Sequence, residues 1–395
     1  NYFTKITEEP VAENLGSSRI RLGMVGGGTG SFIGVVHRVA ARLDDQFELV
    51  AGALSSTAEK SLVSGRELRL AEDRIYADFQ AMAEGEKARE DGIQAVAIAT
   101  PNHLHYAAAS AFIDAGIHII CDKPLVVTLE EALDLSRRAK AAGVVLVVTY
   151  NNTGYPMVRE ARAIVAAGRI GKVRSVQVEY AQDWLTLPLE ADSHKQASWR
   201  VDPSRTGKGA CVGDIGTHAF NLAAFVSGQR LKSVLAEVST LVPGRKMDDD
   251  INVLLRYEGG ARGSLWASQV APGNENGLRV RVYGETGGVE WDGEQPNHLK
   301  VTEYGKPPVI YTRGGFGNGP SATRVTRMPA GLPEGYFECF ANIYLDAAEL
   351  IRAAIEKRAP DPEATVVPQA EEGTDAVRFV DAVIASGLTS TWVDL

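Results

Sequence analysis

From Ile20 to Tyr150 the chain alternates short, almost wholly apolar runs with segments whose apolar residues recur at helical spacing. Strands that are apolar on both faces and separated by helices indicate a parallel sheet covered on both sides, and right-handed crossovers make it doubly wound. The predicted strands are Ile20–Val25, Phe47–Leu54, Ala95–Ala99, His118–Cys121 and Val144–Thr149, and the predicted helices are Val35–Leu43, Ala58–Leu68, Ala107–Ala115 and Leu129–Ala142. We expect an α/β domain over residues 19–151, after a polar tail at 1–18.

After Tyr150 the spacing changes, because polar and apolar residues alternate and glycine-rich turns such as Glu258-Gly259-Gly260 join neighbouring runs. Such alternation with tight turns is typical of antiparallel strands. The predicted strands are Val173–Tyr180, Leu231–Leu241, Asn252–Tyr257, Ala261–Gln269, Leu278–Tyr283 and Gly288–Trp291, with helices at Met157–Ala167 and about Gly213–Val226. Residues 152–395 should therefore form an α+β domain with a large, mostly antiparallel open sheet.

The end of this second domain begins with a Gly/Pro-rich stretch, Gly314 to Gly335, which predicts a long loop. An amphipathic pattern at 336–357 follows, and we expect this helix to pack back on the body. A sheet with one uncovered face favours a homo-oligomer, a homodimer or a homotetramer.

Composition excludes several classes of protein. A net charge of −9 argues against binding to nucleic acid or to an anionic membrane surface. Apolar runs such as Val144–Val148 are too short to span a bilayer, and the N-terminal tail has no apolar signal-peptide core, so we expect a cytoplasmic protein. The three cysteines, which show no CxxC spacing, should be reduced. Among His37, His103, His118, His194 and His298, no pair has zinc-ligand spacing backed by a cysteine or a carboxylate, so we predict no metal.

A glycine cluster lies between the first strand and the first helix, where a dinucleotide-binding turn would place it. Glycines let the backbone approach a pyrophosphate, and the helix N-terminus offers free N–H groups. The spacing is irregular, because the third glycine of the usual pattern would fall at Ser31 or at Ile33. We expect a longer turn that contacts the cofactor phosphates or the nicotinamide side through Gly26, Gly28, Thr29, Gly30, Ser31, Phe32 and Ile33.

Two further motifs follow the third and fourth strands, Thr100-Pro101-Asn102-His103-Leu104-His105 and Cys121-Asp122-Lys123-Pro124. Open parallel sheets bind their ligands beyond the carboxyl ends of the strands. We therefore expect these cofactor contacts: Thr100, Pro101, Asn102, His105, Asp122 and Lys123. Further along, Asp214 and His218 are four residues apart, which puts both on one face if a helix has begun.

Together these motifs resemble the glucose–fructose oxidoreductase / inositol dehydrogenase / rhizopine-catabolism (Gfo/Idh/MocA) family, and the match covers most of the chain. The resemblance implies a Rossmann NAD(P)-binding domain and a dehydrogenase or reductase acting on sugars, cyclitols and related hydroxy compounds. It also implies a catalytic group at Lys123, Asp214 and His218, and a cofactor contact at Arg200. Asn221 stands where many relatives carry Asp.

The three residue types suit alcohol oxidation. His218 is the best candidate for the general base because its ordinary pKa is near neutral. Lys123 would stabilise charge on the reacting oxygen, or would itself accept the proton, and Asp214 would orient the substrate or His218. Each motif also has a structural interpretation: Asn102 as a helix cap, His218 as a core histidine, and Lys123 as a surface residue before a proline that is cis for structural reasons.

Cofactor choice stays open between NAD and NADP. An NAD-selective turn places an acidic residue at the end of the second strand, but Leu54 or Ser55 occupies that position and Glu48 lies at the strand start. Ser55, Ser56 and Lys60 could accept a 2′-phosphate. No arginine follows directly, so we favour NAD.

We expect the substrate to be a polyhydroxylated ring, because hydroxyls suit amide and charged partners while C–H faces stack on aromatic rings. The predicted substrate contacts are Lys123, Asn151, Tyr155, Trp184, Trp199, Asp214, Thr217 and His218. The predicted activity is NAD(P)-dependent oxidation of a secondary ring hydroxyl of an inositol, pyranose or anhydrosugar. The alternatives are reduction of a keto-sugar, or a non-catalytic dinucleotide-dependent sensor or co-regulator, against which the retained Lys123, Asp214 and His218 argue.

Overall fold

The computed structural model describes residues 18–189 and 207–395. Its first part contains a five-stranded sheet within these ranges, with the order β2-β1-β3-β4-β5 and every neighbouring pair parallel. The strands are β1 (Ile20–Gly26), β2 (Phe47–Ala53), β3 (Ala95–Ala99), β4 (His118–Cys121) and β5 (Leu146–Val148). The predicted parallel Rossmann sheet is confirmed. Strand order reverses between β1 and β3, which is where an open sheet of this kind forms its ligand crevice.

The helices between these strands were partly predicted. They are α1 (Phe32–Leu43), α2 (Ala58–Glu67), α3 (Phe79–Lys87), α4 (His105–Ala115) and α5 (Leu129–Ala142). Helix α3 was not predicted, although it begins at a standard cap in which the Asp78 side chain accepts from the Ala81 N–H. Its nine residues bury few apolar side chains, so its hydrophobic period is weak.

The second part is built on a sheet that has nine strands in the described residues, in the order β13-β12-β11-β10-β6-β9-β8-β7-β14. The β6–β9 pair is parallel, whereas the other neighbouring pairs in the described sheet are antiparallel, so the mostly antiparallel prediction is confirmed. The strands are β6 (Val173–Ala181), β7 (Leu231–Ser239), β8 (Asp250–Tyr257), β9 (Arg262–Ser268), β10 (Gly277–Gly284), β11 (Gly287–Asp292), β12 (His298–Glu303), β13 (Val309–Thr312) and β14 (Val393–Asp394).

One face of this sheet is covered by α6 (Pro156–Ala166) and α7 (Thr217–Ser227), which pack on β6, β10 and β11. The opposite face carries charged side chains in ion pairs, such as Arg279 with Glu179 at 3.1 Å and Lys300 with Glu290 at 3.0 Å. Strands β12, β13 and β14 were not predicted. β14 has two residues, and β13 is largely exposed, so neither shows a clear alternation.

The chain then returns to the first sheet. Helix α8 (Pro320–Thr323) is a single turn, α9 (Tyr336–Glu356) packs on α1, and the Tyr344 hydroxyl lies 2.7 Å from His37 Nδ1. The last helix, α10 (Ala370–Thr389), was not predicted. Just before it, the Val148 N–H donates to the Pro368 carbonyl at 2.9 Å, so the end of the chain pairs with the edge of β5. Within the described ranges, none of the helices combines the length and apolarity needed to cross a membrane.

Candidate active site

The glycine turn starts where β1 ends, at Gly26, and runs to Ser31 before α1 begins. Gly26 has φ +74°, and a Cβ at this position would lie 2.5 Å from the Ala99 carbonyl oxygen. A Cβ on Gly28 would lie 2.5 Å from the Leu54 carbonyl oxygen. The turn is therefore pressed against the ends of β2 and β3, so that a side chain at either position would clash with the backbone.

Gly34, in the first turn of α1, provides the close helix packing that the third glycine of the usual pattern would provide. Gly34 packs so closely on the turn that a Cβ there would lie 2.2 Å from the Gly27 carbonyl oxygen. Ser31 is the N-cap instead, and its hydroxyl accepts from the Gly34 N–H at 3.2 Å. Arg38 donates to the Gly27 carbonyl and holds the turn from the helix side. This arrangement explains the irregular spacing, because close helix packing is displaced from Ser31 to Gly34.

The other side of the turn opens to the crevice. Thr29 and Gly30 are exposed, and a Cβ on Gly30 would meet nothing within 4 Å. Phe32, the first residue of α1, is 67% exposed. At the end of β3, the buried Thr100 hydroxyl has no hydrogen-bond partner among the described residues. A glycine cradle, a helix N-terminus and an unpaired hydroxyl fit the pyrophosphate of a dinucleotide, so the turn fits NAD.

The far end of this crevice lies beyond β2. Leu54 is buried, Ser55 is half-buried, and Ser56 and Lys60 are exposed. Helix α2 begins directly afterwards, capped by the Thr57 hydroxyl. The loop thus presents the Ser55 and Ser56 hydroxyls, and the first turn of α2 adds the exposed Glu59 carboxylate and Lys60 amine.

His105 links the two motif loops. It is fully buried, with Nδ1 2.8 Å from the Pro124 carbonyl oxygen and Nε2 2.9 Å from the Thr100 carbonyl oxygen. The Lys123–Pro124 peptide is cis. Asp122 Oδ1 accepts from the Lys123 N–H at 2.8 Å and from the Thr149 hydroxyl at 3.0 Å. Two of the predicted cofactor contacts, His105 and Asp122, therefore also fix the backbone that carries Lys123.

Lys123 reaches across to the second domain. Its Nζ lies 2.8 Å from Asp214 Oδ1 and 2.8 Å from the Asp214 main-chain oxygen. Asp214 belongs to a π-helical turn, Val212–Gly216, which leads directly into α7. Such turns are rare and occur often at functional sites.

Two residues that the sequence did not single out hold Asp214 in place. The Gln269 amide donates to Asp214 Oδ2 at 2.9 Å. The buried Asp248 carboxylate accepts from the N–H groups of Ala210, at 2.6 Å, and Val212, at 2.8 Å, and so anchors the start of the π-helical turn. Burial raises the pKa of Asp248, while these two backbone hydrogen bonds oppose the shift.

His218 is the second residue of α7 and packs between two tyrosines. The ring centroids of Tyr150 and Tyr180 lie 5.6 Å and 6.1 Å from that of His218, both in edge-on arrangements. The Asn152 amide nitrogen lies 3.2 Å from His218 Nδ1. Burial lowers the pKa of His218 well below its ordinary value, Lys123 lowers it further, and Asp214 opposes the shift. His218 is therefore neutral at physiological pH.

Other predicted site residues lie away from this group or face elsewhere. The buried Asn151 amide donates to Cys339 Sγ at 3.4 Å, and Tyr155 is buried against Trp291 at 5.3 Å between ring centroids. Thr217 is fully buried and its hydroxyl donates to the Gly213 carbonyl.

The remaining predicted contacts divide between the surface and the part of the chain that is not described. Pro101 is exposed, Asn102 opens a short 3₁₀ turn, and the Trp184 indole donates to Gln182 at 3.1 Å. Trp199 and Arg200 lie outside the described residues. Sequence reasoning missed Asn152, Gln269 and Asp248. The sequence signal that could have pointed to Asn152 was its place beside Asn151. The signal for Gln269 was its place at the end of a predicted strand.

No group of three or more His, Cys, Asp or Glu side chains in the described ranges is arranged to hold a metal ion. The cysteines Cys121, Cys211 and Cys339 are buried and free of disulfide bonds. Burial raises the pKa of each thiol, so these groups are not reactive thiolates.

Comparison with known proteins agrees with this geometry. Residues 20–150 match the model of an oxidoreductase family with an NAD-binding Rossmann fold, and residues 158–290 match that of a GFO/IDH/MocA C-terminal domain. The chain is 32% identical over 386 residues to an uncharacterised oxidoreductase, YfiI of Bacillus subtilis (strain 168), and the alignment covers 97% of this chain and 98% of YfiI.

Solved structures are similar over nearly the whole chain. An oxidoreductase from Sinorhizobium meliloti is 50% identical, with a TM-score of 0.86 and coverage of 95% of this chain and 100% of that one. An inositol dehydrogenase homologue from Azotobacter vinelandii, complexed with NADH and myo-inositol, is 35% identical, with a TM-score of 0.88 and coverage of 96% and 98%. The protein is thus an oxidoreductase of the GFO/IDH/MocA family, with an NAD-binding Rossmann domain followed by the C-terminal domain of that family.

Proposed function

We propose that the protein is a dehydrogenase that oxidises one secondary ring hydroxyl of a cyclic polyol or sugar, of the inositol, pyranose or anhydrosugar type. The observation that carries this proposal is the contact of Lys123 with Asp214 across the two domains, 2.8 Å from Nζ to Oδ1, beside the neutral His218. When bound, the nicotinamide of NAD(P) accepts the hydride. The chain's own residues must then hold the hydroxyl and take its proton.

Lys123, Asp214 and His218 would form this proton-handling group. Lys123 and His218 can both reach a hydroxyl in the cleft, since each side chain remains partly exposed. Asp214 has both carboxylate oxygens engaged, by Lys123 and by Gln269, so its role is to orient Lys123. A polyhydroxylated ring suits the surroundings, because the amides of Asn152 and Gln269 lie beside the charged Lys123 and Asp214.

The cofactor would be NAD, with NADP as the alternative. The loop after β2 offers Ser55, Ser56 and Lys60, without the arginine that usually grips a 2′-phosphate. The relative from Azotobacter vinelandii was solved with NADH.

The charged open face of the nine-stranded sheet would be the contact between copies in a homodimer or homotetramer. Leu254 is 52% exposed among polar neighbours on this face, and its partner would shield it. Light scattering of the purified protein measures the mass of the assembly. A monomer at micromolar concentration would refute this part of the proposal.

The activity is tested by incubating the protein with NAD or NADP and a panel of inositols, pyranoses and anhydrosugars while following the absorbance of reduced nicotinamide. We expect turnover of at least one cyclic polyol or sugar, and a lower KM for NAD than for NADP. Tight binding of NADH without turnover across the panel would refute the proposal and favour a sensor of the same fold.

A further inference from the structure

The contact between Asn152 and His218 fixes where the imidazole proton lies. The amide nitrogen of Asn152 is 3.2 Å from His218 Nδ1. An amide nitrogen of Asn only donates, so Nδ1 must accept and carries no proton. His218 is neutral, because burial lowers its pKa well below the ordinary value. The single proton of the neutral ring must therefore be on Nε2.

The turn that presents Asn152 is held from two sides. It is the 3₁₀ turn Asn151–Gly154 between β5 and α6. The Asn342 amide of α9 donates to the Gly154 carbonyl at 2.8 Å, and the buried Arg159 donates to the Thr153 carbonyl at 3.1 Å. A Cβ on Gly154 would lie 2.0 Å from the Cys339 carbonyl oxygen, so the turn packs directly on the α9 backbone. Asn152 is thus delivered to His218 by a backbone with little room to shift.

Lys123 offers the complementary group. Two of its hydrogens are taken by the main-chain oxygen and Oδ1 of Asp214, each at 2.8 Å. An ammonium has one further hydrogen, whereas a neutral amine in the same position has a lone pair. The third position on Lys123 Nζ, which Asp214 does not occupy, is therefore the one that can accept or donate a proton.

We propose that Asn152 is a positioning residue that holds His218 as the Nε2–H tautomer, so that His218 donates a hydrogen bond to the reacting oxygen and Lys123 accepts the hydroxyl proton. This inference rests on the proposed function. In the oxidation the reacting form of Lys123 is the amine whose two hydrogens are on Asp214 and whose lone pair faces the hydroxyl; the O–H bond breaks, and its proton goes to that lone pair, which makes an ammonium. The O–H electron pair forms the second C–O bond as the carbon gives up its hydrogen, with both electrons, to the oxidised nicotinamide. His218 keeps its own proton throughout.

Substitution of His218 distinguishes its two possible roles, hydrogen-bond donor and general base. The Gln side-chain nitrogen can occupy the position of Nε2 and donate, but it cannot accept a proton at working pH. We expect His218→Gln to retain turnover within about 10-fold of the native enzyme, and His218→Leu to lose about 10²-fold or more. An equal loss in both variants, each folded by circular dichroism, would overturn the assignment of His218 as donor.

The tautomer itself is measured without turnover. Nitrogen NMR of isotope-labelled histidine in the cofactor-free protein distinguishes a protonated from an unprotonated ring nitrogen, and His218→Gln identifies the His218 signals. We expect Nδ1 of His218 unprotonated and Nε2 protonated in the native protein. In Asn152→Asp, whose carboxylate only accepts, we expect a proton on Nδ1. The His37 signals, whose Nδ1 partner is Tyr344, should stay unchanged in that variant.

A native His218 with its proton on Nδ1 would overturn the proposal, whatever the variant does. These results also separate the two claims. Turnover of a polyol by a protein whose His218 carries the proton on Nδ1 refutes the tautomer alone. The Nε2–H tautomer in a protein that binds NADH but turns over nothing in the panel supports the Asn152 contact and refutes the proposed function.

Discussion

The Nζ of Lys123 lies 2.8 Å from both the main-chain oxygen and one carboxylate oxygen of Asp214. These two residues come from different domains, 91 positions apart in the chain. Lys123 follows a strand of the parallel sheet, and Asp214 precedes a helix of the second domain. The pair therefore joins the two domains at the carboxyl end of β4.

Removal of the Lys123 amine should abolish most of the activity while the protein stays folded. We expect Lys123→Ala to lower kcat by about 10²–10⁴-fold, the usual contribution of a positioned proton-transfer group. NADH binding, followed by fluorescence titration, should stay within a few-fold of native. Lys306→Ala, which removes a surface lysine paired with Glu303, is the control and should change neither quantity. Near-native turnover of Lys123→Ala would contradict the assignment.

Gln269 should act through Asp214, and a pH profile should reveal this. In Gln269→Glu a second carboxylate faces Asp214 Oδ2, and two adjacent carboxylates cannot both ionise easily. At low pH the protonated Glu can still donate to Asp214, as the amide does. On raising the pH it ionises, so kcat/KM should fall progressively relative to native. Gln295→Glu, an exposed site, serves as the control. A profile parallel to the native one would show that Gln269 does not act on Asp214.

Gly34 should be as important to the turn as the glycines inside it. A Cβ at Gly34 would lie 2.2 Å from the Gly27 carbonyl oxygen, so Gly34→Ala must displace the turn or the helix. We expect a lower Tm without cofactor and NADH affinity weakened by more than about 10-fold, since displaced N–H groups no longer face the phosphates.

Gly143→Ala is the matched variant outside the turn, because a Cβ there meets nothing within 4 Å and only the backbone φ of +65° opposes it, at a cost of about 1–2 kcal/mol. Equal NADH affinity in the two variants would show that helix packing at Gly34 does not shape the site.

Acid should destabilise the protein through its buried histidines. Burial lowers the pKa of His37, His118 and His218 below the value in the unfolded chain, about 6.5. Below about pH 6.5 the histidines of the unfolded chain bind more protons than those of the folded chain. The free energy of unfolding, which is highest above this pH, therefore decreases on acidification.

His118 offers a specific check, because its Nδ1 accepts from the Val145 N–H at 3.0 Å and protonation would break this bond. We expect Tm to fall between about pH 7 and about pH 5, and to fall less in His118→Asn, whose side-chain oxygen can accept in the same place. His298→Gln, at an exposed position, should follow the native curve. A native Tm that stays constant over this range would refute the prediction.

The strands of the first sheet were predictable because burial on both faces makes them continuous apolar runs, and β1, β3 and β4 are almost wholly buried. Helix α10 was missed, since it begins after a loop at Gln369 and its buried face is made mostly of small residues that give a weak hydrophobic period.

Within the site, the family resemblance of three short motifs pointed to Lys123, Asp214 and His218, but the sequence does not contain the information that distinguishes the adjacent asparagines. Asn151 bonds Cys339, which is 188 residues away, while Asn152 bonds His218, which is 66 residues away. Both side chains have the same chemistry and neighbouring positions. What distinguishes them is the direction of the 3₁₀ turn, which depends on α9 packing from the far end of the chain.

The pairing of Pro368 with Val148 has a consequence for biosynthesis. The edge of β5 stays without this neighbour until the ribosome has added Pro368, and a chain released earlier would expose backbone N–H and C=O groups on an apolar strand. Gly373 then packs on Leu125, directly after the lysine motif. A polypeptide that stops before Pro368 therefore keeps an unpaired strand edge, through which copies can associate.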